Sequence, residues 1–185
     1  MPSSTDVSRR TGGRGVDAVV FDERAIAERV SELGAEITDY YPDGDLLVLG
    51  LLKGCFVFLP DLVRHIERPL HVDFLVVASY GHRMESSGEV RLLYDPEVDL
   101  RGKHVLLVED IIDSGSTLAR LARLLKGRKP ESLEICTFLH KRLAEALDPD
   151  ARFVGFDAPT DFLVGYGLDH AENFRHLPFV ASIKG

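Results

Sequence analysis

Cysteine is scarce in this 185-residue chain: Cys55 and Cys136 stand far apart, outside any metal-ligand spacing. That argues against a disulfide framework and fits a reducing cytoplasm, with Cys136 a small core residue in its apolar run. The seven histidines form no H-x-x-x-H pair, so the usual transition-metal signals are missing. No run approaches the roughly eighteen apolar residues of a membrane span. Residues 1–15 are rich in Ser, Gly and Arg and lack the apolar segment of a secretory signal. Basic charge is also in deficit. With 22 Lys and Arg against 30 Asp and Glu, the net charge of −8 opposes general nucleic-acid binding. A local basic cluster can still hold a small anionic substrate. What is present, 45% hydrophobic residues at a mean hydropathy near zero, describes a soluble globular protein. The length predicts a flexible tail over residues 1–15 and a single domain over 16–185.

Within that domain, Ile26, Val30 and Leu33 predict a helix over residues 22–33, capped by Asp22 and stopped at Gly34. The apolar run 46–52 predicts a strand covered on both faces. A helix over 56–66 and a strand over 72–78 follow. The polar segment 80–89 reads as a long mobile loop, and 90–94 as the returning strand of a hairpin. Next come a strand over 104–108, a helix over 117–126 and a strand over 133–139. Apolar segments at 153–156 and 162–166 are expected to finish the sheet. Alternating strands and helices imply an α/β fold, with a mostly parallel central sheet and helices on both faces. Ligands of such sheets collect beyond the carboxyl ends of the strands, where the polar breaks 53–54, 109–117 and 141 are predicted to converge.

Residues 105–118, VLLVEDIIDSGSTL, carry the most chemistry. An apolar strand ends in Glu109, Asp110 and Asp113, then in a small-residue loop and a helix. Gly115 permits a tight turn, and Ser114, Ser116 and Thr117 can donate hydroxyls to an anion at the positive end of that helix. The same hydroxyls could instead cap it, Ser116 or Thr117 serving as N-cap. Glu109 and Asp110 are consecutive on extended chain and should point to opposite faces. The loop lacks the Gly-Lys-Ser/Thr of a Walker A motif.

This segment resembles the PRPP signature of the type I phosphoribosyltransferases, and its wording Glu-Asp-Ile-Ile-Asp-Ser-Gly is close to the hypoxanthine-guanine branch. The resemblance covers residues 22–183, with Asp161-Phe-Leu-Val-Gly-Tyr-Gly-Leu-Asp169 as its second stamp. It implies the type I fold with a small hood, a flexible lid at Ser79 and Tyr80, and purine salvage from PRPP and a 6-oxopurine. Asp113 would handle the proton at purine N7. Glu109 and Asp110 would hold the ribose hydroxyls, and the loop from Ser114 through Gly115 and Ser116 to Thr117 the 5′-phosphate. Lys53 and Gly54 would form the pyrophosphate loop, behind a cis peptide, with Arg175 contacting the same leaving group. Lys141 would select the 6-oxo group, Phe162 would stack on the base, and the Leu163 backbone would meet its 2-position edge. Asp169, with Glu109 and Asp110, would hold Mg²⁺. A homodimer or homotetramer is implied. Two alternatives stay open: a PRPP-sensing regulator on the same fold, and the same transfer to xanthine.

Overall fold

Residues 2, 4–13, 15–41, 43–77, 92–142 and 151–183 are described by a computed structural model. In chain order they form α1 (Ser4–Thr11), β1 (Ala18–Phe21), α2 (Glu23–Tyr40), β2 (Leu46–Leu52), a 3-10 turn (Gly54–Phe56) and α3 (Phe58–Val63). There follow β3 (Leu70–Val77), β4 (Leu92–Tyr94), β5 (His104–Ile112), α4 (Ser116–Lys126), β6 (Ser132–His140), β7 (Phe153–Asp157), β8 (Phe162–Val164) and β9 (Val180–Ile183).

The main sheet has the order β4-β3-β2-β5-β6-β7. All its pairings are parallel except that of β4 with β3. The continuous apolar run of β2 follows from cover on both faces. Leu46 and Val48 join Ile26, Val30 and Leu33 of α2 and Phe58 and Leu62 of α3 in one cluster. Leu47 and Leu49 join Leu118, Leu121 and Leu125 of α4 in another. Phe138 of β6 is fully buried, with its ring 4.8 Å from that of Tyr166 and 5.3 Å from that of Phe58.

Three sequence expectations change. Asp22 does cap α2, accepting the Ala25 N–H at 2.9 Å, but Gly34 does not stop the helix, which runs to Tyr40. Gly34 marks a close crossing instead: a Cβ there would stand 2.3 Å from His65 Cβ. The segment 162–166 does not finish the main sheet, because β8 pairs antiparallel with β9 in a second sheet of order β1-β9-β8. β9, its partner, pairs in turn with β1 near the start of the chain, and no local pattern pointed to this sheet. The stretch expected as a loose tail carries α1, where Asp6 pairs with Arg9 at 2.7 Å. Val7 packs on Phe174, Leu177 and Phe179, and His176 Nε2 lies 3.0 Å from the Arg10 carbonyl. A short amphipathic turn thus gains from tertiary contact what its composition does not supply.

Candidate active site

Parallel pairing of β2 with β5 sets their carboxyl ends side by side. The bond Leu52–Lys53 is cis, as the resemblance implied. Gly54 then passes so close to β5 that a Cβ on it would stand 1.8 Å from Asp110 Oδ2. Gly167, at φ +102, also approaches Gly54: a Cβ on it would stand 2.1 Å from the Gly54 carbonyl oxygen. Gly54 therefore packs against both a carboxylate and a second backbone: a side chain on it would have to displace Asp110, and none fits at Gly167.

Glu109 and Asp110, expected to diverge, meet. The longer Glu109 side chain curls back, and its Oε1 accepts the Asp110 backbone N–H at 3.1 Å. Burial, reinforced by the neighbouring Asp110 carboxyl, holds the Glu109 carboxyl well above the ordinary carboxylate range. The same surroundings raise the buried Cys55 thiol, burial first and the two carboxylates after it.

Past β5 the chain turns at Gly115, which has φ +70 and serves as N-cap of α4. No side chain caps this end, so Ser116 and Thr117 do not take the capping role their chemistry allowed. Ser114 and Ser116 instead bring their Oγ atoms to 3.2 Å of each other. A cavity of about 150 Å³ lies here, lined by Glu109 and residues 111–118. Left-handed glycine, paired hydroxyls and the uncapped positive end of an eleven-residue helix suit a phosphate.

Lys141 follows β6, and its backbone N–H donates to the Ile112 carbonyl at 2.9 Å. Its side chain is largely buried, yet its Nζ stands 3.7 Å from Oδ2 of Asp113, an exposed side chain. Phe162 is 48% exposed and meets the His170 ring edge-on at 5.4 Å, so it is not part of the core. Leu163 is buried on β8, an edge strand of the second sheet.

Arg175 binds Asp169 Oδ1 at 2.7 Å and, through Nη1, donates to the Gly167 carbonyl at 2.8 Å. Glu172, absent from the sequence expectations, links this group to the first loop: it pairs with Lys53 at 3.0 Å and with Arg175 at 3.4 Å. Only its three-residue offsets from Asp169 and Arg175 hinted at it. The tips 53–54, 109–117, 141 and 169–175 thus share one face. Ser79 and Tyr80, the expected lid, lie outside the described residues.

No group of three His, Cys, Asp or Glu side chains among the described residues could cage a metal by itself. The adjoining carboxyls of Glu109 and Asp110 do fit a cation that arrives with phosphates, the habit of Mg²⁺. Their mutual repulsion and burial are what such a cation relieves. Asp169 is already engaged, Oδ1 by Arg175 and Oδ2 by the Glu172 N–H at 2.8 Å.

The phosphoribosyl transferase domain matches residues 19–171. A hypoxanthine phosphoribosyltransferase of Salmonella typhimurium is 45% identical over 167 residues, 89% of this chain and 94% of that protein. A Bacillus subtilis hypoxanthine-guanine phosphoribosyltransferase is 44% identical over 169 residues, 91% and 94%. The chain belongs to the hypoxanthine-guanine phosphoribosyltransferase family. The structure agrees: a Staphylococcus aureus hypoxanthine phosphoribosyltransferase superposes with a TM-score of 0.88 at 37% identity, over 98% of this chain and 97% of that one. A Bacillus anthracis hypoxanthine-guanine phosphoribosyltransferase gives 0.86 at 42% identity, over 92% and 100%.

In this phosphoribosyltransferase the raised Glu109 carboxyl has a measurable cost. A group whose folded-state value is raised contributes stability below its ordinary value of 4.5, and loses it as pH rises through the folded-state value. Glu109→Gln is therefore expected to melt higher than the wild type at pH 8 in metal-free buffer, and to show less transfer activity. The difference in Tm should shrink as pH falls towards 4.5; a lower Tm at pH 8 would refute the burial argument.

Proposed function

We propose that this chain transfers the 5-phosphoribosyl group of PRPP to hypoxanthine or guanine, releasing pyrophosphate and forming IMP or GMP in purine salvage. The observation that carries the reading is the 3.7 Å separation of Lys141 Nζ and Asp113 Oδ2. Purine O6 and N7 are neighbours on one edge of the base. An ammonium beside a carboxylate at that spacing can donate to O6 and take the proton of N7 at once. Adenine presents an amino donor where Lys141 needs an acceptor, so the same pair disfavours it.

As N9 bonds to the ribose C1′, the C1′–O bond to pyrophosphate breaks and Asp113 receives the N7 proton. Phe162 lies against one face of the base, and the Leu163 backbone borders its 2-position. Asp110 and Glu109 bind the ribose hydroxyls, and Ser114, Gly115, Ser116 and Thr117 hold the 5′-phosphate. Lys53, Gly54 and Arg175 receive the departing pyrophosphate. Glu109 and Asp110, with Asp169, would hold Mg²⁺, which would neutralise phosphate charge. The same reading takes Ser79 and Tyr80 as a lid, and carries assembly as a homodimer or homotetramer in the cytoplasm. Among the described residues no helix is long and apolar enough to cross a membrane.

Initial rates with PRPP and hypoxanthine, guanine, xanthine, adenine or uracil test this. Transfer to hypoxanthine or guanine, abolished by chelation, is expected; turnover of uracil alone would overturn it. Lys141→Ala should raise the KM for the base about tenfold, the scale of one charge-assisted hydrogen bond. The KM for PRPP should hold, and the reverse pattern would displace Lys141 from the base.

A further inference from the structure

Tyr166 sits where three consecutive residues have positive φ: Gly165 at +99, Tyr166 at +50 and Gly167 at +102. Either glycine is confined by backbone, since a Cβ would stand 2.1 Å from the Phe179 carbonyl oxygen at Gly165 and equally close to that of Gly54 at Gly167. The turn therefore has one side chain with which to anchor itself. That side chain is buried against Phe138, and its hydroxyl donates to Asp61 Oδ2 at 2.7 Å. Asp61 Oδ1 in turn accepts from Arg64 at 2.6 Å.

Asp61 lies on α3, which follows directly from the 3-10 turn begun by Gly54. A circuit closes: from Gly54 through α3 to Asp61, across to Tyr166, along one residue to Gly167, and back onto the Gly54 carbonyl. Arg175 is tied to the same turn, through its Nη1 to the Gly167 carbonyl at 2.8 Å and its own carbonyl to the Gly167 N–H at 3.0 Å. Apart from this circuit, the two loops are linked side chain to side chain by the solvent-exposed Lys53–Glu172 pair, a weak tie.

We infer that the Tyr166–Asp61 hydrogen bond is a positioning device that sets the Lys53–Gly54 loop and Arg175 in register as one pyrophosphate clamp. The inference rests on the proposed transfer from PRPP. Neither residue touches substrate; both act through Gly54, Gly167 and Arg175. Of the base pocket, Asp113 and Lys141 follow β5 and β6 and stay outside the circuit, while Phe162 stands on β8, which leads into the turn, and its ring keeps a contact of its own with His170.

Steady-state kinetics of the full-length chain test it. Tyr166→Phe is expected to raise the KM for PRPP, and for pyrophosphate in the reverse direction, about tenfold, as fits one hydrogen bond to a carboxylate. The KM for hypoxanthine should stay within about twofold, because the base contacts are untouched. Asp61→Ala, at a partly exposed site, should give the same split, and the double variant should be no worse than either single one. If Tyr166→Phe does not fold, Asp61→Ala decides alone. Equal rises in both KM values, or a fall in kcat alone, overturn the inference. A wild type that transfers nothing from PRPP would instead sink the proposed function itself.

Discussion

Asp113→Asn is expected to lower kcat for hypoxanthine by about a hundredfold or more, the scale of losing a general base. The amide keeps the shape of the carboxylate but cannot accept the N7 proton. Stability should hardly move. The Asp113 side chain is 61% exposed and its 3.7 Å contact with Lys141 is long, so the pair adds little to folding. Tm should stay near that of the wild type while kcat and kcat/KM fall together, as expected of a group that acts in the transition state. Single-turnover measurements should show the same loss, which guards against slow product release masking the chemical step. Near-wild-type single turnover would remove Asp113 from proton transfer.

Gly54→Ala should be comparably severe for a different reason. The new Cβ would stand 1.8 Å from Asp110 Oδ2, and the loop has little room to retreat because Gly167 packs closely on the Gly54 carbonyl. The carboxylate is the softer neighbour, so Asp110 swings away and leaves the position from which it would bind ribose. Misplacing one binding group by about 1 Å can cost on the order of a hundredfold in rate. The variant should keep its fold while kcat/KM for PRPP drops by about that factor. A crystal structure of the variant should show Asp110 in a new rotamer. Retained activity with Asp110 unmoved would refute the steric argument.

Much of this site could be read from order along the chain. An apolar strand, an acidic lip, a small-residue loop and an amphipathic helix occur at residues 105–126, and β5 and α4 stand there with Gly115 in the left-handed conformation. Local patterns misled where a residue's role is set by a distant neighbour. Gly34 read as a helix stop because glycine often ends helices; only the crossing of α2 over His65 shows why it lies mid-helix. Extended geometry sent Glu109 and Asp110 to opposite faces, whereas their carboxyls adjoin, with Glu109 Oε1 also accepting the Asp110 backbone N–H.

Periodicity and composition alone determined that this is an α/β chain with a parallel sheet buried on both faces, since strand burial and helix amphipathicity are local properties written every two or four residues. Only the tertiary structure decided which strands pair, that β8 leaves the main sheet for β1 and β9, and that Glu172, Tyr166 and Gly167 join the loop at Lys53. The hydrogen bonds from Tyr166 and Glu172 span 105 and 119 positions, and a close packing of backbones leaves no periodic trace in the sequence.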